Sequence, residues 1–204
     1  MNKNVKTIGA KPIGMLGRIS GNIMNIFHSV QYNKIINKHI LPLVLKQVGL
    51  MVLDIGCGGG VSLKHFSKSR DVNQVHGIDY SRDMVKLSEK VNRKVNSSRK
   101  VKVMQASVLD LPFKDGTYDI IGAFDTVNFW SDYQKSINEI IRVLKNSGFF
   151  FIINAYPKEG TKWHDFVYFK NFQEYKDLLL KNGFRNVNFT FYNSNKTIIV
   201  WGQK

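Results

Sequence analysis

The segment Val52-Leu-Asp-Ile-Gly-Cys-Gly-Gly-Gly60 constrains the fold more than any other stretch of this chain. An apolar strand runs straight into a loop with glycine at 56, 58, 59 and 60, and a helix follows. Glycine is needed where backbone turns sharply and a ligand must approach the main chain with no Cβ in the way. A dinucleotide fingerprint would place its third glycine at 61, which is Val61. No Lys-Ser/Thr pair follows the loop, which excludes a phosphate-cradling P-loop. What remains is Asp-x-Gly-x-Gly-x-Gly at the end of a first strand. The next strand ends in Gly77-Ile-Asp79, placing an acid 25 residues after Asp54. A carboxylate there can accept both hydroxyls of a ribose, as the acid in other doubly wound sheets does.

Apolar periodicity extends this pattern along the chain. Strands are expected at Met51–Ile55, Gln74–Ile78, Val101–Gln105, Tyr118–Phe124 and Phe149–Ala155. Helices are expected at Val61–Ser69, Arg82–Asn96, Tyr133–Lys145 and Phe172–Lys181, with Asn146-Ser-Gly148 and Asn182-Gly183 as stops. Val187–Tyr192 and Thr197–Trp201 read as a terminal hairpin through Asn193-Ser-Asn195. Alternating strands and helices imply an α/β, Rossmann-like, mostly parallel sheet of seven strands with helices on both faces. The chain reads as a single domain over 1–204, with a helical lid at 1–46, a core at 47–155 and a cap with terminal strands at 156–204. In the lid, one helix is expected at Ile19–Val30 and a second from Asn33 to about Lys46, interrupted near Pro42.

Composition narrows the setting. Cys57 is the only cysteine, so no disulfide framework can form within one chain. The first residues are basic but lack the apolar run of a secretory signal, and no run is long enough to span a bilayer, so a cytoplasmic setting is expected. The net charge of +15 points toward nucleic acid, yet 23 Lys stand against 7 Arg and are spread along the chain. Arg is the residue favoured for forked contacts to phosphate and guanine, so nucleic acid is not the expected partner. No His, Asp or Glu cluster has metal-ligand spacing, and a metal-free reaction is expected. The reading leaves monomer and homodimer open.

Four segments resemble a known family. Leu53-Asp-Ile-Gly-Cys-Gly-Gly-Gly60, Gly77-Ile-Asp-Tyr-Ser81, Ala106-Ser-Val-Leu-Asp-Leu-Pro-Phe113 and Glu139-Ile-Ile-Arg-Val-Leu-Lys145 with Gly148 are similar, in order and spacing, to class I S-adenosyl-L-methionine (SAM)-dependent methyltransferases. The ubiquinone/menaquinone-type small-molecule branch is the one resembled. The resemblance implies SAM as cofactor, S-adenosyl-L-homocysteine (SAH) as product, and a small-molecule methyl acceptor. It puts the methionine part of SAM on Gly56, Cys57 and Gly58, with Asp54 holding that region. It gives the ribose hydroxyls to Asp79, the adenine to Tyr80, Ser107 and Val108, and a place beside the cofactor to Phe124. Where the family usually has an acid this chain has Ser107, an uncharged and weaker acceptor for the adenine amino group.

The acceptor side is expected beyond the carboxyl ends of the strands. Asp125, Asn128, Phe129 and Trp130 follow the fourth strand, in a Phe-Trp-x-Asp sequence that resembles small-molecule methyltransferases, and Asp132 is expected to cap the next helix. Asn25, His28 and Tyr32 fall on one polar stripe of the lid helix, apart from its apolar face. His28 and Asp125 are candidates for a base, and His164, after the fifth strand, for an acceptor contact. Two other readings stay open: a methyltransferase acting on RNA or protein through the basic surface, and a SAM-binding regulatory protein without turnover.

Overall fold

The computed structural model describes residues 28–44, 48–96, 100–194 and 196–204. The chain divides into two compact units, Met1–Ser107 and Val108–Lys204.

The described part of the first unit begins with helical residues 28–44. The expected break between Val30 and Asn33 does not occur, because neither Gln31 nor Tyr32 interrupts a helix. The interruption near Pro42 takes the form of a π-helical turn, Ile36–Ile40, in which the Leu41 N–H donates to the Ile36 carbonyl, followed by a last turn, Leu41–Val44. Proline has no N–H for the carbonyl four residues back and its ring crowds that carbonyl; a widened turn ahead of Pro42 accommodates both. Ile35, Ile36, Ile40, Leu41 and Val44 are buried along this segment. The expected helix over 19–27, with Asn25, lies outside the described residues.

There follow β1 (Leu50–Ile55), α1 (Val61–Phe66), β2 (Val72–Asp79), α2 (Arg82–Asn96) and β3 (Val101–Gln105). The three strands are parallel in the order β3-β2-β1, with Asp54 opposite Gly77 and Asp79 opposite Gln105. Met84, Val85 and Leu87 form the buried apolar stripe of α2.

The second unit holds β4 (Tyr118–Phe124), a 3-10 turn at Val127–Phe129, α3 (Tyr133–Val143), β5 (Leu144–Ala155), α4 (Lys162–Phe166), α5 (Phe172–Lys181), β6 (Arg185–Tyr192) and β7 (Thr197–Gln203). β4 and β5 are parallel, β5 and β7 antiparallel, and β6 pairs with β7 to form the expected hairpin at the sheet edge. Its turn is closed by the Lys196 N–H donating to the Asn193 carbonyl at 3.1 Å, with Asn193 and Ser194 at φ 57 and 51. Asp132 caps α3 as expected, its Oδ1 accepting the Lys135 N–H at 2.9 Å.

α3 stops two residues earlier than its periodicity suggests. Leu144 is extended (φ −78, ψ 133) and pairs with Tyr118, so strand pairing takes it out of the helix. Asn146-Ser-Gly148 is an irregularity inside β5 rather than a helix stop; Ser147 sits at φ 66 before regular pairing resumes at Phe149. In all, seven strands make the mixed sheet of a Rossmann-like α/β fold. No helix among the described residues is long and apolar enough to cross a membrane.

Candidate functional site

The glycine loop is held from three sides within the first unit. The Cys57 N–H donates to the Ile78 carbonyl at 2.9 Å, joining the loop to the end of β2. The Gly60 N–H turns back to the Cys57 carbonyl at 2.9 Å, and the Gly58 N–H donates to Asp79 Oδ2 at 2.9 Å. Gly56, Gly58 and Gly60 all have positive φ (70, 50 and 79). The space beyond Gly58 is open, with nothing within 4 Å of where a Cβ would stand, so this glycine is required by backbone angle and leaves room for a ligand.

Asp54 lies at the end of β1 and is fully buried. Its Oδ2 accepts a short hydrogen bond from the Ser62 hydroxyl, the first turn of α1 reaching back across the loop. Its Oδ1 has no hydrogen-bond partner among the described residues. A buried carboxylate with an unused oxygen is costly unless something meets it. Burial pushes the Asp54 carboxyl up to about 7; the Ser62 bond opposes this and the nearby charge of Asp79 adds to it. Asp79 is partly buried and also raised by desolvation, against the pull of two backbone donors, Ser81 N–H on Oδ1 at 2.8 Å and Gly58 N–H on Oδ2 at 2.9 Å. A carboxylate has about four lone-pair sites, so each oxygen of Asp79 keeps acceptor capacity. The Cys57 thiol is buried and pushed well above its usual pKa, first by desolvation and then by Asp54 and Asp79, so it is an inert filler of the loop rather than a nucleophile. Tyr80 is exposed, and its carbonyl accepts the Gln105 side-chain amide at 3.1 Å. Ser107 is half-buried at the end of this unit.

His28 and Tyr32 are brought together, one helical turn apart, with His28 Nδ1 and Tyr32 Oη at 2.7 Å and their rings edge to face. Tyr32 is buried.

Within the second unit, Asp125 follows β4 at φ 53, a left-handed backbone that Asp tolerates better than most residues. Its N–H donates to the Ile153 carbonyl and its Oδ1 accepts the Ala155 N–H, both at 2.7 Å, so it clasps the ends of β4 and β5. Asn128 is buried in the 3-10 turn, and its Oδ1 accepts the Tyr168 N–H at 3.0 Å, drawing in the segment after β5. Phe129 is 39% exposed, whereas Trp130 is buried, stacked on Phe150 at 6.5 Å between ring centroids and tilted against Tyr133. Phe124 is buried at the end of β4. Val108 is half-buried, and His164 is half-buried on α4. Among the described residues no group of three His, Cys, Asp or Glu side chains is placed to hold a metal.

The two later sequence motifs are parts of one network. Arg142 pairs with Glu139 through Nε and Nη2, both at 2.7 Å, and its Nη1 reaches Asp115 at 2.8 Å. The same guanidinium donates to the carbonyls of Leu111 (2.8 Å) and Phe113 (2.7 Å), while Glu139 accepts the Leu111 N–H at 2.7 Å. Periodicity signalled none of this, nor Ser62, whose role is visible only once the first turn of α1 lies beside Asp54.

Residues 53–152 match the family described as methyltransferase domain. An uncharacterized methyltransferase, YcgJ, from Bacillus subtilis (strain 168) is 32% identical over 116 residues, covering 57% of this chain and 45% of that protein. The demethylmenaquinone methyltransferase of Staphylococcus aureus (strain MRSA252) is 28% identical over 126 residues, 61% of this chain and 51% of that protein. The chain thus spans about half the length of these curated relatives. Among solved structures, a SAM-dependent methyltransferase from Aquifex aeolicus shares the fold with a TM-score of 0.67 at 24% identity, over 86% of this chain and 97% of that one.

Proposed function

Because residues 53–152 match the methyltransferase domain family, we propose that this chain transfers the methyl group of SAM to a small-molecule acceptor by in-line displacement. The observation that carries the placement of the donor is the pair of carboxylates at the glycine loop. Asp54 presents a buried oxygen with no hydrogen-bond partner among the described residues, and Asp79 is anchored by two backbone donors with acceptor capacity to spare. These residues fit SAM: Asp54 would hold the cationic amine end, Asp79 the ribose diol, and the open face of Gly58 would admit the chain between them. SAM supplies an already activated methyl sulfonium, so the protein's task is to hold and orient. An acceptor that carries a proton also needs a base, for which His28 and Asp125 are the candidates. The demethylmenaquinone methyltransferase among the relatives supports a small-molecule acceptor.

Asp54 makes cofactor affinity pH-dependent. With its carboxyl raised to about 7, the protein without ligand holds a proton there that the bound ammonium would displace. Proton release on binding means that affinity rises with pH and levels off above the raised value. Titration calorimetry with SAH is expected to show about a fivefold loss of affinity from pH 7 to pH 6. Affinity flat over that range would remove Asp54 from the amine.

The function itself is tested by SAH release across small-molecule acceptors, RNA and protein substrates. Turnover on a small molecule alone supports the proposal; turnover only on RNA, with steeply salt-dependent binding, overturns it, and intact SAH binding without any turnover points to a regulatory protein. In the same assay, His28→Ala is expected to leave SAH affinity unchanged and slow transfer by about a hundredfold if His28 is the base. Normal turnover would dismiss it from catalysis.

A further inference from the structure

The buried face of α2 carries two polar residues that apolar packing does not explain. Ser88 and Asn92, one turn apart, are both completely buried. Asn92 Nδ2 donates to the Gly60 carbonyl at 2.9 Å, 32 residues back in the chain, and to the Ser88 carbonyl at 2.9 Å. The Ser88 hydroxyl makes no hydrogen bond of ordinary geometry, but it faces the Cys57 thiol closely enough to draw its pKa down against the effect of burial. Gly60 is the left-handed residue (φ 79) that starts α1, and a Cβ there would overlap Ser88 Oγ and stand 2.5 Å from Asn92 Nδ2. The loop therefore rests directly on these two side chains. Two residues back along the loop, the space beside Gly58 is open.

We propose that Asn92, seated beside Ser88, is a positioning residue for the methyl donor: it fixes the Gly60 end of the glycine loop from behind. The Asp79 bond to the Gly58 N–H fixes the middle of the loop, and Cys57 is tied to the end of β2. The Gly60 carbonyl lies at the junction of that turn with α1. It accepts from the Lys64 N–H at 3.3 Å, a long bond for the first turn of a helix, and from Asn92 Nδ2 at 2.9 Å. A fully buried amide donor holds that carbonyl in one orientation, which pre-organises the loop before a ligand arrives. The proposal rests on SAM lying on this loop.

The test compares SAH affinity with thermal stability in Asn92→Leu, which keeps the volume and removes the donor, and in Leu87→Ala, a core truncation on the same helix. Asn92→Leu is expected to bind SAH about tenfold more weakly. Leu87→Ala is expected to lower the melting temperature at least as much and leave affinity within about twofold. Equal affinity losses in both variants, or none in Asn92→Leu, would overturn the proposal. A second measurement needs no variant: in the wild-type protein, the Asn92 side-chain amide protons are expected to exchange slowly and to shift on SAH addition. Absence of that shift, with SAH bound, also overturns the proposal. Wild-type protein that binds no SAH would instead remove the cofactor from the loop, and the proposal with it.

Discussion

Asp79→Ala is expected to weaken SAH binding by at least tenfold, the largest effect of any single change at the donor site. Two contributions combine. The first is the loss of the acceptor proposed for the ribose diol; hydrogen bonds to a charged group are worth about 1.5–3 kcal/mol each. The second is internal: the Gly58 and Ser81 N–H groups both end on this carboxylate, at 2.9 and 2.8 Å. Removing it frees the middle of the glycine loop as well as the end of β2. Asp79→Asn separates the two, since a single amide oxygen can serve the Gly58 or the Ser81 N–H but not both, while the side chain keeps its shape. The asparagine variant is expected to fall between wild type and alanine in affinity and to melt close to wild type. Calorimetry showing unchanged SAH binding in Asp79→Ala would sink the ribose assignment.

The double duty of Asp79 explains why an acid at that spacing was a usable signal. The strand end, the loop and the acid form one hydrogen-bonded unit, so reading any one of them constrains the others. The bounds of α2, β3, β4 and α5 were legible to the residue, because apolar period and stop signals agree there. They disagreed at the end of α3. Leu144 continues the helical apolar face, and only the long-range pairing with Tyr118 makes it the first residue of a strand. Ser88 and Asn92 carry no local signal for a related reason. A reading that follows Met84, Val85 and Leu87 treats polar residues on the same helix as solvated, and nothing local says that the Gly60 carbonyl lies beneath them. Trp130, expected on the acceptor side, is buried beside Phe150, while its neighbour Phe129 keeps an exposed face. Adjacent aromatics on a turn point to opposite sides, and sequence does not say which points in.

Arg142→Met is expected to lower stability by about 2 kcal/mol, a fall in melting temperature of roughly 4–8 °C for a chain of this size. Methionine retains the apolar stem of the side chain, so the change reports on the guanidinium rather than on packing. Five contacts vanish: two to Glu139, one to Asp115, and one each to the carbonyls of Leu111 and Phe113. A fully buried pair would cost about 3–5 kcal/mol to break, but Arg142 retains 32% exposure, and water would replace part of what is lost. The pH dependence supplies an independent check. The Arg142 hydrogen bond holds the Glu139 carboxyl below its ordinary value, so the pair's contribution is present in full above the normal Glu range and is lost as pH falls through the lowered value. Wild type and variant should therefore converge in melting temperature in acid and separate toward neutrality. The loop pinned by this network begins at Val108, assigned to adenine by resemblance. Loosening it is thus expected to raise KM for SAM while leaving kcat at saturation unchanged. A variant that loses stability with no change in KM would confine Glu139 and Arg142 to the scaffold and detach the adenine contact from the loop they hold.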